Sequence, residues 1–493
     1  MFLKETKTES YKYNLKGMSL MENNTKGIGK GELVALIISS SIGTGIFGIM
    51  NDLANAAAPG PALLAWIFVG IGILALVLSL NNLSEKRPEL DAGIFSYAGA
   101  QFGPLGEFIS GWAYWLSAWL GNIAFATMLM SSFGTFFKVF KGGQNLASIF
   151  VAIIIMWLLT LLVNNGVESA SFVNTIVTIC KLIPIFAFVV IMIIGFKGGV
   201  FTADFWGNVA TNVLHGGQKI SLFEQMKGSI MVMMWVFIGI EGASVLGNRA
   251  KKKSDAQKAT IIGLISLLVI YILVSLPPYG VLSQSKIASL QQPAMGEILR
   301  YVVGPWGSVM INIGLIISTL GSWISWTMLP AETTMLMAKD KTLPKSWGKV
   351  NKKNAPTYSL MITGVMQTIF LFSLLFTEYA YNFAYSLCTA AILISYLMVG
   401  TYQMQFSYQK KEWGQFLIGI IAAAFQLTAM VLAGWQQVLM VTILYIPGFI
   451  FYYLASKEND RPVNKNEKLT MGIVLLIAVI AIVMIFTGTI KVG

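Results

Sequence analysis

Charge is what this chain lacks most. Of its 493 residues only 11% are Asp, Glu, Lys or Arg, against about a quarter in soluble domains, too few to cover a water-facing surface of this size. Cysteine is almost missing: Cys180 and Cys388 are the pair. Both sit in apolar segments and form no metal-ligand spacing, so they read as small buried hydrophobes. Histidine is reduced to His215, in a polar stretch, which argues against a His-based catalytic centre or a zinc site. No catalytic residue, metal or cofactor is expected. A membrane enzyme would need a histidine, a metal cluster or paired carboxylates at membrane depth, and an ion channel would want a symmetric filter or a charged ring; neither pattern is present.

Apolar sequence is abundant instead: 56% of residues are hydrophobic and the mean hydropathy is +0.70. It arrives in blocks of about twenty residues, the length that crosses a hydrocarbon layer of about 30 Å. Thirteen spans are predicted, at 31–57, 62–83, 105–137, 146–165, 170–196, 228–248, 259–282, 305–337, 357–376, 381–406, 414–433, 435–455 and 470–490. Some thirty polar residues precede the first and no cleavage site follows it, so no signal peptide is expected. The net charge of +12 raises the question of nucleic acid, but its distribution answers otherwise. With the N-terminus in the cytoplasm, 25 of the 34 Lys and Arg residues fall on the cytoplasmic side and 8 on the other, an asymmetry that orients membrane proteins. The runs Arg249–Lys253 and Lys339–Lys353 then read as cytoplasmic anchors against anionic lipid, and no nucleic-acid partner is needed.

Two spans are interrupted by small residues: Ser39-Ser40-Ser41-Ile42-Gly43-Thr44-Gly45 in the first, and Ile238-Gly239-Ile240-Glu241-Gly242-Ala243-Ser244 in the sixth. Glycine and serine weaken a helix, and broken backbone at membrane depth is tolerated only where protein buries it or a cavity lies beside it. Breaks at matching positions of two halves mark the substrate site of a transporter; the alternative is small residues that let helices pack closely. A helix broken at the midplane bares amides at one end and carbonyls at the other. Such a pair suits a zwitterion, an α-carboxylate on the amides near Ile42–Gly45 and an α-ammonium on the facing carbonyls.

Ionisable residues inside spans are rare and usually functional. Glu241 adjoins the second break. Lys181 lies 12 residues from Ser169, so about 18 Å deep at ~1.5 Å per residue, too far for easy snorkelling; its ammonium is suited to replace a coupling cation. Trp119, Trp235 and Trp326 lie within spans and offer faces to a cationic side chain.

At these residues the chain resembles the amino acid–polyamine–organocation superfamily, and within it the basic amino acid/polyamine antiporters. The resemblance covers about residues 28–455 and is carried by Gly43-Thr44-Gly45-Ile46-Phe47, Trp119-Leu120-Gly121-Asn122, Phe237-Ile238-Gly239-Ile240-Glu241-Gly242 and Trp326-Thr327-Met328-Leu329. It implies an all-α polytopic fold with a LeuT-type core of two inverted five-helix repeats. Spans one, two, six and seven form a moving bundle, and three, four, eight and nine a scaffold. It implies that Ser41, Ile42, Thr44 and Gly45 hold the carboxylate and amine. It implies that Ser117, Ala118, Asn122 and Ser386 line a side-chain pocket. Trp235 is implied as an aromatic gate, Ile238 as a source of amine-binding carbonyls, and Trp326 as a stacking partner for a guanidinium. Glu241 is implied in gating or proton linkage, and Lys181 in place of sodium.

Three parts are expected: a cytoplasmic tail at 1–30, the ten-helix core at 31–406 and peripheral helices at 407–493. The expected activity is exchange of arginine for ornithine across a bacterial cell membrane by alternating access. Exchange of histidine/histamine, tyrosine/tyramine, lysine/cadaverine or agmatine/putrescine, or proton-coupled amino acid uptake, are alternatives. The partners expected are small amino acid and amine substrates, the lipid bilayer and a second copy in a homodimer.

Overall fold

The computed structural model describes residues 30–90, 93–166, 171–241, 253–377 and 379–490, all helices and connections with no strand among them. Residues 1–29, the end of span six from Gly242 and the basic run to Lys252 lie outside the described residues, as do the side chains of Ser39, Ser40 and Cys180. Helices are numbered in chain order: α1 Lys30–Ser41, α2 Gly45–Ala56, α3 Pro59–Lys86, α4 Ile94–Phe133, α5 Leu146–Asn164 and α6 Ser171–Gly195. The short α7 Gly198–Thr202 and α8 Ala210–Leu214 lead into α9 Leu222–Phe237 and α10 Lys253–Ser275. Two further connecting helices, α11 Gln284–Ala288 and α12 Ala294–Val303, precede α13 Pro305–Lys339 and α14 Thr357–Ser373. The chain ends with α15 Ala380–Lys410, α16 Trp413–Thr428, α17 Trp435–Ile443, α18 Tyr445–Glu458 and α19 Lys465–Phe486.

Nine helices among the described residues are long and apolar enough to cross a membrane, and α17 and α18 form a tenth crossing bent by 46°. The other three predicted spans are α1 with α2, the 25-residue α6, and α9 as far as the description reaches. The described parts of all thirteen thus fall mainly on helix, apart from the two breaks. Local chemistry sets several boundaries. Gly103 at φ 71° followed by Pro104 divides α4, so the crossing begins where its apolar run does. Pro305 occupies the first turn of α13, where its missing N–H leaves no bond unmade. Asn464 and Glu467 close a reciprocal capping box on α19.

At the centre α4 packs against α13 and α15, and α15 also against α16. Trp112, Trp115 and Trp119 fill this core, away from the interface that membrane tryptophans usually favour. Trp112 and Trp115 pack 4.4 Å apart by ring centroids, and their indole N–H groups donate to Leu444 O and Thr363 Oγ1, both at 3.0 Å. Satisfying the N–H internally lets so large a ring leave the headgroup region. Trp119 belongs to the same cluster, edge-on to Trp115 and Phe370. At the other extreme α19 packs mainly on α17 and α18 and leaves Leu469 and Phe486 exposed, the surface a lipid-facing helix presents.

Candidate functional site

Both glycine-rich segments break their helices as expected from sequence, the second as far as the described residues reach. Helix α1 stops at Ser41, where Ile42 N–H donates to Ile38 O (3.2 Å), and α2 restarts at Gly45. The first amides of α2 have no preceding turn to bond. In span six α9 stops at Phe237; Ile238 is extended (φ −61°, ψ 130°) and Gly239 has φ +104°, a conformation open to glycine at little cost.

The bared groups are held by named side chains. Lys181, on α6 and 4% exposed, donates from Nζ to Ile42 O at 2.9 Å and lies 3.5 Å from Ser322 Oγ on α13. A cation here answers the negative carbonyl end of α1 and spans three elements. Tyr271, on α10 and fully buried, places its hydroxyl 2.6 Å from Val236 O and 3.2 Å from Ser41 O, joining the carbonyl ends of both broken spans. Glu241, 5% exposed, accepts at Oε2 from Gly239 N–H (3.0 Å) and from the hydroxyl of Tyr396 on α15, with Tyr114 of α4 also hydrogen-bonded to it.

Between the breaks lies a small pocket walled by both interrupted spans together with α4, α13 and α15. Seven of the predicted binding residues line it: Ser41, Thr44, Gly45, Ser117, Trp235, Ile238 and Trp326. Gly45 allows the close approach of Trp235, since a Cβ there would lie 2.5 Å from its Nε1. Trp235 donates to Tyr381 OH at 3.2 Å, stacks on Tyr385 at 5.9 Å and meets Phe125 at 6.2 Å, so aromatic rings cover one mouth of the pocket.

Four predicted positions are elsewhere. The side chain of Ile42 is buried away from the pocket and its carbonyl is engaged by Lys181. On α4, Ser117, Gly121 and Phe125 share the pocket face at four-residue intervals. Ala118 and Asn122, one residue further on, turn about 100° away at 3.6 residues per turn; Asn122 donates to Trp326 O at 3.0 Å and so ties α4 to α13. Ser386 does not line the pocket. Cys388, two residues later and roughly 200° round α15, does, with Sγ 3.3 Å from Ser117 Oγ. Trp119 also lies off the pocket, in the tryptophan core. The tyrosines at positions 114, 271 and 396 carried no signal in sequence, because a tyrosine within a span reads as packing until its hydroxyl partner is known.

A polytopic α-helical membrane protein with a buried pocket between two interrupted spans is the class that this fold and site define. Its lineage is equally clear. The chain belongs to the amino acid permease family, whose pattern matches residues 31–455; it is a transporter and not an enzyme. It is 54% identical over 475 residues to an arginine/ornithine antiporter of Latilactobacillus sakei, covering 95% of this chain and 99% of that one. It is also similar to two Lactococcus lactis subsp. cremoris proteins, arginine/ornithine antiporters ArcD1 and ArcD2. The first is 48% identical over 93% of this chain and 90% of that one, the second 45% identical over 95% and 97%.

Proposed function

We propose that the chain exchanges arginine for ornithine by alternating access, rocking a bundle built on spans one and six around the pocket between them. The observation that carries this reading is the meeting of both helix breaks at one buried pocket, in a chain whose full-length relatives bear the arginine/ornithine antiporter name. The α-carboxylate sits on the free amides from Gly43 to Ile46 and the α-ammonium near the carbonyls of Ser41, Val236 and Ile238. The side chain runs toward Trp326, whose face suits a guanidinium. Trp235 gates one side. Glu241, linking span six to Tyr114 and Tyr396, gates the other.

Lys181 stands on the Ile42 carbonyl with the charge a coupling cation would supply, which supports transport without sodium. The charge asymmetry supports an N-terminus in the cytoplasm of a bacterial cell. We extend the reading to two inverted repeats within 31–406, a peripheral 407–493 and assembly as a homodimer. In proteoliposomes, ornithine inside should drive uptake of labelled arginine with no sodium present. Equal uptake by ornithine-loaded and empty vesicles would refute exchange, and faster counterflow with histidine, tyrosine, lysine or agmatine and their paired amines would reassign the substrate.

A further inference from the structure

A second buried acid lies on the approach to the aromatic cover. Asp52 is seven residues along α2 from Gly45, about 10 Å from the break at ~1.5 Å per residue, and it is 6% exposed. Its Oδ1 accepts from Asn382 Nδ2 at 2.7 Å and faces Gln292 Nε2 at 3.4 Å. Asn382 belongs to the first turn of α15 and Gln292 to the connection between α11 and α12. Among the described residues no Lys, Arg or His comes within ion-pair distance of it. Tyr381 and Tyr385 lie beside the carboxylate, and the same two rings hold Trp235 over the pocket. The next residue back, Asn51, donates to Ile287 O, Ala288 O and Leu290 O at 2.8–3.1 Å, fastening this end of α2 to the connecting segment.

A carboxylate taken out of water with amide partners has hydrogen bonds but no opposing charge. Amide donors are weaker partners for it than a guanidinium, which offers two charge-assisted bonds in one plane. Both present partners sit on Oδ1, so a cation that takes both carboxylate oxygens competes with Asn382 and Gln292 for that atom. Asn382 ties α2 to α15 at this end, and Gln292 ties it to the connection between α11 and α12.

We propose that Asp52 is a waystation for the cationic end of the substrate, where a guanidinium or alkylammonium replaces Asn382 and Gln292 on the carboxylate, frees α2 from α15 and is passed through the Tyr381–Tyr385–Trp235 rings to the pocket. The substrate class it selects is α-amino acids with a positively charged side chain. This rests on the exchange reading above, and the wild-type protein tests that reading separately: without arginine/ornithine counterflow the reading falls before any variant is made.

The experiment measures arginine KM and inhibition by citrulline, which carries a neutral ureido group of nearly the same shape, in ornithine-loaded proteoliposomes. Asp52→Asn should raise the arginine KM about tenfold, with a smaller change in maximal rate and in citrulline inhibition. Asp52→Glu should keep the preference for arginine. Asn382→Ala, which removes the competing donor and leaves the acid, should lower the arginine KM. An unchanged arginine KM in Asp52→Asn would overturn the proposal, because the acid would then serve as a neutral hydrogen-bonding group. An equal weakening of arginine and citrulline would overturn it in favour of architecture. If Asp52→Asn fails to insert, a raised arginine KM in Asn382→Ala overturns it independently.

Discussion

At the break in span one an ammonium grips a carbonyl; at the break in span six a carboxylate accepts from an amide. The two differ in more than sign. Lys181 reaches the carbonyl end of α1, where a positive charge is favoured by the helix itself, and it comes from α6 while touching α13. Glu241 lies just past the carbonyl end of α9, where the helix disfavours a negative charge, and depends on hydroxyls of Tyr114 and Tyr396 from α4 and α15. The first break is held by a partner that the helix dipole supports. The second is held by partners on other helices, which any relative movement of span six would disturb. We read the first as a fixed clamp on the site and the second as its moving seal.

Substitutions at four positions test that contrast. Lys181→Ala leaves the Ile42 carbonyl without its cation and should lower exchange about a hundredfold, equivalent to ~2.7 kcal/mol, while membrane insertion is retained. Lys181→Arg should recover part of the loss, since the charge rather than the amine is required; initial rates in proteoliposomes decide, and a wild-type rate for Lys181→Ala would end the idea of a clamp. Glu241→Gln keeps an acceptor for Gly239 and Tyr396 but removes the charge, and exchange should fall roughly tenfold with binding less affected, ~1.4 kcal/mol at the moving step. If arginine affinity falls instead and the rate holds, the seal belongs to the binding site. Trp326→Ala, between the two breaks, should raise the arginine KM roughly five- to tenfold through loss of a cation–π contact of ~1–2 kcal/mol. A neutral competitor should shift less, and an equal shift would reduce Trp326 to packing. Tyr271→Phe removes one hydroxyl from carbonyls of both spans and should slow exchange only a few-fold, near 1 kcal/mol, with equal effects on uptake and release.

The interruptions were legible because glycine and serine change what the backbone itself can do. Gly43, Gly45 and Gly239 therefore announce the site wherever the helices pack. Lys181 and Glu241 were legible for a related reason, the expense of charge in an apolar run. Asp52 carries the same expense, yet no break or motif marks it within span one. Only packing against Asn382 and Gln292 shows it to be enclosed. The exchange of Ser386 for Cys388 is an error of helical phase. A resemblance good to two residues places a side chain on the right helix and still turns it to the wrong face.

Residue order was thus enough for the crossings, the interrupted pair and the charges at membrane depth, because each reflects a free energy that a local stretch of chain meets alone in lipid. The identity of the pocket wall, the clamp of Lys181 on Ile42, the tyrosines about Glu241 and the enclosure of Asp52 came from tertiary packing. These are contacts between residues 127 to 330 positions apart, set by how one helix is rotated against the next, and no local pattern of residues encodes that rotation.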